Sequence, residues 1–508
     1  MRAGSLTLVV AALALGLFLA ACGGSGSGAA PSPTPGDGVT AAPATANASP
    51  ASPTTAAAPS PTAVPRETAV VLKPTIEDAL SCRVPARGPS GQAGTSTPGL
   101  QRHDIDIALF PRAICNDGSP AVLFFRPYEG EANRNRWVIG LAGGGSCATP
   151  QDCANRWCGV DTNFDSSNMS TDAAGNANPG DGIFARRPEN PFANWNQVFV
   201  RYCSSDLWSG RAPALTVQAN DPATGKPVEY MIAMTGLARA GCRPSRPLNR
   251  DPGTAPLTYV RTRTPLPDLS DAAEVVFAGG SAGGVGVVFN LDRVAALLAA
   301  GPNRPIVRGL IDSATTPDLS KLGWGATEAC RTNGRCTYET AVSARDTQAL
   351  NRHLDESCVE WHARNRPGTE WLCTDVEHVM ANHLTTPYFV RMGLTDRLIS
   401  SEIIAAGYTL AGRPLTLLTF ASELRQFLLD LPAAVAKGEE RQLVTTPPGV
   451  YAPTCPEHYT IYANETVYGV AIPGGAKPVT FFDIWKNWVA GTTPSVVASS
   501  DPRTDTCR

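Results

Sequence analysis

The chain has 508 residues, 43% of them apolar, and a near-balanced formal charge of −3 at pH 7. That length can bury a sizeable core and admits two or three domains. The charge balance offers no basic face, which argues against nucleic acid as a partner.

Residues 1–22 read as an export signal rather than as part of the fold. Arg2 precedes an apolar stretch, Leu6 to Leu19, that is too short and wrongly flanked for a stable membrane span. It ends in Leu19-Ala20-Ala21-Cys22, which resembles a bacterial lipoprotein cleavage box, so Cys22 is expected to carry the lipid; a plain secretory signal is the rival. Residues 23–66 are rich in Ala, Pro, Ser, Thr and Gly and nearly free of charge. Such a segment cannot offset its ordering entropy by burial and reads as a disordered tether. Localisation follows: an exported protein of the bacterial cell envelope, meeting the membrane only through Cys22. Residues 67–508 show no second tether and no repeat, and are expected to form a single domain with long insertions.

Fourteen cysteines suit an oxidising compartment. Thirteen remain once Cys22 is set aside, so at least one is free or paired between chains. The close pairs Cys147 with Cys153 and Cys330 with Cys336 look like local staples. Zinc is the rival, but the cysteines are scattered and lack paired C-x-x-C spacing. No metal and no cofactor is expected.

Short apolar runs with turn signals at their ends recur along the chain. Trp137–Leu141 leads into Gly143-Gly144-Gly145, and Val198–Val200 into Tyr202-Cys203-Ser204-Ser205-Asp206. Residues 211–270 are rich in Pro, Arg and Thr and are read as an irregular insertion near the mouth of the site. Val275–Ala278 leads into Gly279-Gly280-Ser281-Ala282-Gly283, followed by a helix-like run from Val285 to Ala300. Ile306–Ile311 leads into Asp312, and Tyr388–Val390 into Gly393-Leu394-Thr395-Asp396, before a second helical run, Leu415–Leu429. Apolar strands alternating with helices predict an α/β fold, a mostly parallel doubly wound sheet with its site beyond the C-terminal strand ends.

Gly279–Gly283 is the only G-x-S-x-G in the chain, and its strand–turn–helix context is that of a nucleophile elbow. The bland alternative is a Gly-rich strand-to-helix turn without chemistry. A serine hydroxyl needs a positioned base. Six histidines are available: His103, His353, His362, His378, His383 and His458. The hydrolase order of nucleophile, acid, base favours His458, after the last long helix. His378 and His383, in a segment of helical character, are read as surface or helix-end histidines. For the carboxylate that orients the base, Asp396 stands just past an apolar strand, with Asp312 as competitor; Glu457 adjoins His458, and adjacent side chains usually diverge. Backbone N–H groups of Ala282 and of the Gly143-Gly144-Gly145 run are the candidate oxyanion donors.

These residues resemble the pectin acetylesterase and Notum carboxylesterase family. The resemblance runs over most of residues 110–460 and rests on Cys115–Pro120, Leu141–Cys147, Asn194-Trp195-Asn196, Tyr202–Asp206 with Trp208-Ser209-Gly210, Gly280–Gly284, Val307–Leu310 with Asp312-Ser313, and Cys455 with His458. It implies an α/β-hydrolase-like fold that hydrolyses O-acyl esters without a metal. It implies Ser281 as nucleophile, Asp396 as acid, His458 as base, and Gly144, Gly145 and Ala282 as oxyanion donors. Two bridges are also implied, Cys115–Cys203 and Cys147–Cys153. The sequence departs from the family at Gly145 and Ser146, where a Trp usually helps shape the acyl pocket. The substrate expected is an acyl ester, such as acetyl groups on an extracellular polysaccharide. A catalytically weak carbohydrate-binding protein on the same scaffold is the alternative, and the triad types alone do not separate ester from amide hydrolysis.

Overall fold

The computed structural model describes residues 70–82, 100–236, 269–324 and 353–508, with short breaks inside these ranges. The signal segment 1–22, with Cys22, and the tether lie outside the described residues. In chain order the first strands are β1 (Gln101–Asp104), β2 (Val122–Arg126), β3 (Arg136–Leu141), β4 (Asn196–Val200), β5 (Ala212–Asn220), β6 (Pro227–Met234), β7 (Glu274–Gly280) and β8 (Ile306–Asp312). There follow β9 (Gly323–Trp324), β10 (Tyr388–Arg391), β11 (Tyr408–Leu410), β12 (Arg413–Pro414), β13 (Gly449–Ala452), β14 (Ala471–Ile472), β15 (Val479–Thr480) and β16 (Val496–Ala498).

Nine of these strands form one sheet in the order β1-β2-β4-β3-β7-β8-β10-β13-β16. From β4 to β16 every neighbouring pair is parallel; β1 and β2 close one edge antiparallel. Helices flank the sheet, and the fold is α/β-hydrolase-like. The central strands are apolar on both faces because both are covered: Val275, Val276, Phe277 and Ala278 of β7 are fully buried. Each large side chain among them contributes about 1.5–3 kcal/mol of transfer free energy.

The register decides where chemistry can occur. Gly280 of β7 pairs with Asp312 of β8, Asp312 with Arg391 of β10, and Arg391 with Tyr451 of β13. On the other side Gly279 pairs with Leu141 of β3, and Leu141 with Val200 of β4. The loops that leave these strands therefore emerge along one edge of the sheet.

The expectation for residues 211–270 needs correction. Ala212–Asn220 and Pro227–Met234 form an antiparallel hairpin whose first strand alternates buried or half-buried with exposed residues, the period of a strand with one face covered. Residues 237–268 lie outside the described residues.

Disulfides join Cys82–Cys158, Cys115–Cys203, Cys147–Cys153, Cys358–Cys373 and Cys455–Cys507 among the described residues. Such a set belongs to a protein that folds outside the reducing cytosol. Both bridges implied by the family resemblance are present, Cys115–Cys203 and Cys147–Cys153. The staple expected between Cys330 and Cys336 is not among the described bridges, because Cys330 and Cys336 both lie outside the described residues.

Candidate active site

Ser281 stands between β7 and the helix Ala282–Ala299, at φ 55° and ψ −128°. A positive φ on a residue with a side chain is strained, and surrounding structure must hold it there. The Ser281 N–H donates to Asp312 O at 2.9 Å, and the first helical turn closes on Ser281 O through the Val285 N–H at 3.1 Å. Glycine makes the turn possible by letting three backbones touch. A Cβ on Gly279 would sit 2.1 Å from Gly283 O, and one on Gly283 would sit 2.1 Å from Leu141 O. The helix begins three residues earlier than its apolar run predicts, because Ala282, Gly283 and Gly284 already form its first turn.

Asp396 begins the helix Arg397–Ala405 and is fully buried. One oxygen, Oδ1, accepts from the Leu398 and Ile399 N–H groups, both at 3.1 Å. The helix N-terminus favours the charged carboxylate. The other oxygen, Oδ2, lies 2.8 Å from His458 Nδ1. A carboxylate can only accept, so the proton sits on Nδ1 and Nε2 keeps its lone pair. That Nε2 is buried and makes no hydrogen bond among the described residues.

Asp312, the competing acid, is committed elsewhere. Its carboxylate accepts from Thr460 N (2.8 Å), Thr460 Oγ1 (2.7 Å) and Ile461 N (3.1 Å), and pairs with the fully buried Arg391 at 3.1 Å. Its own carbonyl holds Ser281 N. One residue thus ties the serine turn to the loop that carries His458. Tyr462, further along that loop, donates its hydroxyl to Leu141 O at 3.0 Å. The loop therefore crosses from β13 over β10, β8 and β7 to β3, and so over the strand that leads into Ser281. Sequence reading weighed Asp312 only as an acid; its organising role needs the three-dimensional pairings.

The glycine loop after β3 completes the edge. Gly144 and Gly145 have φ of 146° and 62°, open to glycine and costly for other residues. Arg156 donates to Gly144 O, Ser146 bridges to Asp206, and Cys147 N donates to Ser205 O at 3.1 Å. The N–H groups of Gly144, Gly145 and Ala282 make no hydrogen bond among the described residues. Further strain gathers on the neighbouring loops: Ser205, Leu207, Trp208 and Ser313 also have positive φ. Trp208 is fully buried, donates from Nε1 to Ala142 O at 3.0 Å, and packs where a Gly286 side chain would be. No sequence signal marked that segment as strained.

Burial works against the His458 imidazolium, but the Asp396 hydrogen bond and charge, with Asp312 and Glu402 behind them, leave its pKa raised above the ordinary 6.5. If neutral His458 is the base, kcat/KM falls as pH drops, with its half-point above pH 6.5. A pH–rate profile with its acid limb below 6.5 contradicts this. The stability linkage has the opposite sign: a raised folded-state pKa contributes stability below pH 6.5 that is lost as pH rises through the folded value.

The reading of His378 and His383 as surface residues does not hold. Both lie at helix ends, but His383 is fully buried and His378 largely so. They belong to a separate cluster, away from Ser281.

A pectinacetylesterase family model matches residues 102–225. Palmitoleoyl-protein carboxylesterase notum2 of Xenopus laevis is 30% identical over 56% of this chain and 49% of its own length. Palmitoleoyl-protein carboxylesterase NOTUM of Mus musculus is 27% identical over 73% and 63%, and that of Drosophila melanogaster 30% over 56% and 36%. The chain thus spans less than two thirds of the length of these relatives. A pectinacetylesterase match and similarity to Notum carboxylesterases thus fall on one and the same chain.

Proposed function

We propose that the chain is an exported serine carboxylesterase, anchored through a lipid on Cys22, that removes acetyl groups from an extracellular polysaccharide. Ser281 is the nucleophile, His458 the base, Asp396 the orienting acid, and the N–H groups of Gly144, Gly145 and Ala282 the oxyanion donors. The observation that carries the reading is the Asp396 carboxylate, locked on a helix N-terminus by one oxygen and 2.8 Å from His458 Nδ1 by the other, on the edge where Ser281 is held strained.

In this mechanism the bare Nε2 of His458 takes the proton as Ser281 Oγ attacks the ester carbonyl. The developing oxyanion is met by amides whose donor capacity no other described residue uses. His458 then passes its proton to the leaving alcohol, and the acyl-serine is hydrolysed by water that His458 activates. No proton moves to Asp396, which stabilises the imidazolium by charge.

A fluorophosphonate probe tests the reading directly. We expect one covalent adduct per chain, mapped to Ser281. A native protein that stays unlabelled would favour the binding-protein alternative. The substrate is tested separately with p-nitrophenyl esters of increasing acyl length and with acetylated polysaccharide. Acetate release from the polymer is the expected result, whereas preference for long acyl chains would move the substrate toward that named for the Notum relatives.

A further inference from the structure

Three histidines outside the esterase site meet on a single carboxylate. His362 lies in the helix Glu356–Asn365, His378 in the helix Val376–Asn382, His383 directly after it, and Glu440 beyond the helix Leu417–Lys437. Glu440 Oε2 is 3.5 Å from His362 Nε2, 3.4 Å from His378 Nε2 and 3.2 Å from His383 Nε2. His362 Nε2 and His378 Nε2 are 3.0 Å apart.

These separations have a simple reading. A tetrahedral zinc site with ligands at about 2.0–2.1 Å places its donor atoms roughly 3.3–3.4 Å apart. Four of the six edges of such a tetrahedron are given above, between 3.0 and 3.5 Å. The ligand types, three imidazoles and one carboxylate, are those zinc accepts. The contacts around Glu440 and His362 point the same way. Arg366 occupies the other Glu440 oxygen, Oε1, at 2.9 Å, leaving Oε2 to face the rings. The Thr369 hydroxyl donates to Arg366 O at 2.6 Å, so at its 2.7 Å contact with His362 Nδ1 it accepts the ring proton. His362 Nε2 therefore presents a lone pair to the cluster, which is how outer contacts prepare a metal-binding histidine. Cys358 lies in the same group, but its sulfur is bonded to Cys373 and is no thiolate ligand.

We infer that His362, His378, His383 and Glu440 form a structural site for one zinc-class divalent cation, which pins three helical segments together. Four protein ligands leave no open position, so the ion holds structure rather than activating water. The inference runs against the sequence expectation of no metal, which rested on the cysteines. It is independent of the role of Ser281.

The test is metal content and thermal midpoint of the purified chain. The native protein should carry about one zinc per chain. Removal with dipicolinate should lower the thermal midpoint, and added zinc should restore it. Cobalt loaded in place of zinc should give the intense visible bands of a four-coordinate ion. Glu440→Gln, nearly isosteric, and His383→Ala should each weaken zinc binding at least tenfold, as loss of even an outer partner commonly does. If His383→Ala fails to fold, Glu440→Gln and the native chain still decide. A native chain that takes up no zinc from excess, or a midpoint indifferent to both chelator and zinc, overturns the site and leaves a hydrogen-bonded His–Glu cluster. Full zinc affinity in Glu440→Gln overturns the ligand set.

Discussion

Ser281→Ala should lower kcat for p-nitrophenyl acetate on the order of a millionfold, while the folded protein persists. The size follows from the nature of the loss. Without Oγ no acyl-enzyme can form, and what survives is binding and the amide donors, together good for about 10³–10⁴ over water. The fold should tolerate the change because Ser281 is anchored by its backbone: its N–H to Asp312 O and its C=O to the Val285 N–H. Alanine keeps both bonds and removes only a half-buried hydroxyl. The strained φ of 55° is present in the native protein and is not added by the substitution. Full residual turnover in the variant, with circular dichroism unchanged, would remove Ser281 from the chemistry.

The two buried aspartates should fail in different ways. Asp396→Asn keeps a good N-cap, since an amide oxygen can still accept from Leu398 and Ile399. Facing His458, however, its NH₂ group donates where the carboxylate accepted. The ring proton is then driven to Nε2, the base is blocked, and kcat should drop roughly ten-thousandfold with little change in stability. Asp312→Asn should instead damage the fold. It leaves Arg391 fully buried without its counter-charge, and its NH₂ group opposes donors already aimed at Asp312 from Thr460 and Ile461. Breaking a buried pair in this way costs about 3–5 kcal/mol. Urea midpoints and kcat for the two variants separate the roles. A stable but inactive Asp312→Asn beside a fully active Asp396→Asn would reverse the assignment of the acid.

Much of the candidate site could be proposed from sequence because its signals are local. Gly279, Gly283 and the apolar run before Ser281 announce the turn, and Asp396 follows the strand that pairs beside β8. His458 was selected through chain order alone, and the structure sets its ring against Asp396. The same reading stopped where short segments depend on partners. β13 and β16 have four and three residues and gain their identity from pairing with β10 and with each other. The hairpin β5–β6 escaped sequence reading although Leu215, Val217 and Ala219 alternate with polar residues, because its prolines and lack of helical period dominate the stretch. Proximity in the chain was also a partial guide to the bridges. It found Cys147–Cys153, but Cys82–Cys158 and Cys455–Cys507 join cysteines 76 and 52 residues apart, and Cys330 with Cys336 falls outside the described residues. Asp312 and the His–Glu cluster were beyond the sequence for a common reason. Each gathers partners from distant parts of the chain, and no spacing rule marks them.

The cross-links beside the candidate site carry one more implication. Cys147–Cys153 closes the stretch just beyond Gly145, and Cys455–Cys507 clamps the approach to His458. On either side of the serine, loop freedom that folding would otherwise have to remove each time is already forfeited in the unfolded, oxidised chain. Preorganisation here is partly covalent and is set once, when the sulfurs are oxidised, so two molecules of identical sequence can differ in competence through their oxidation history alone.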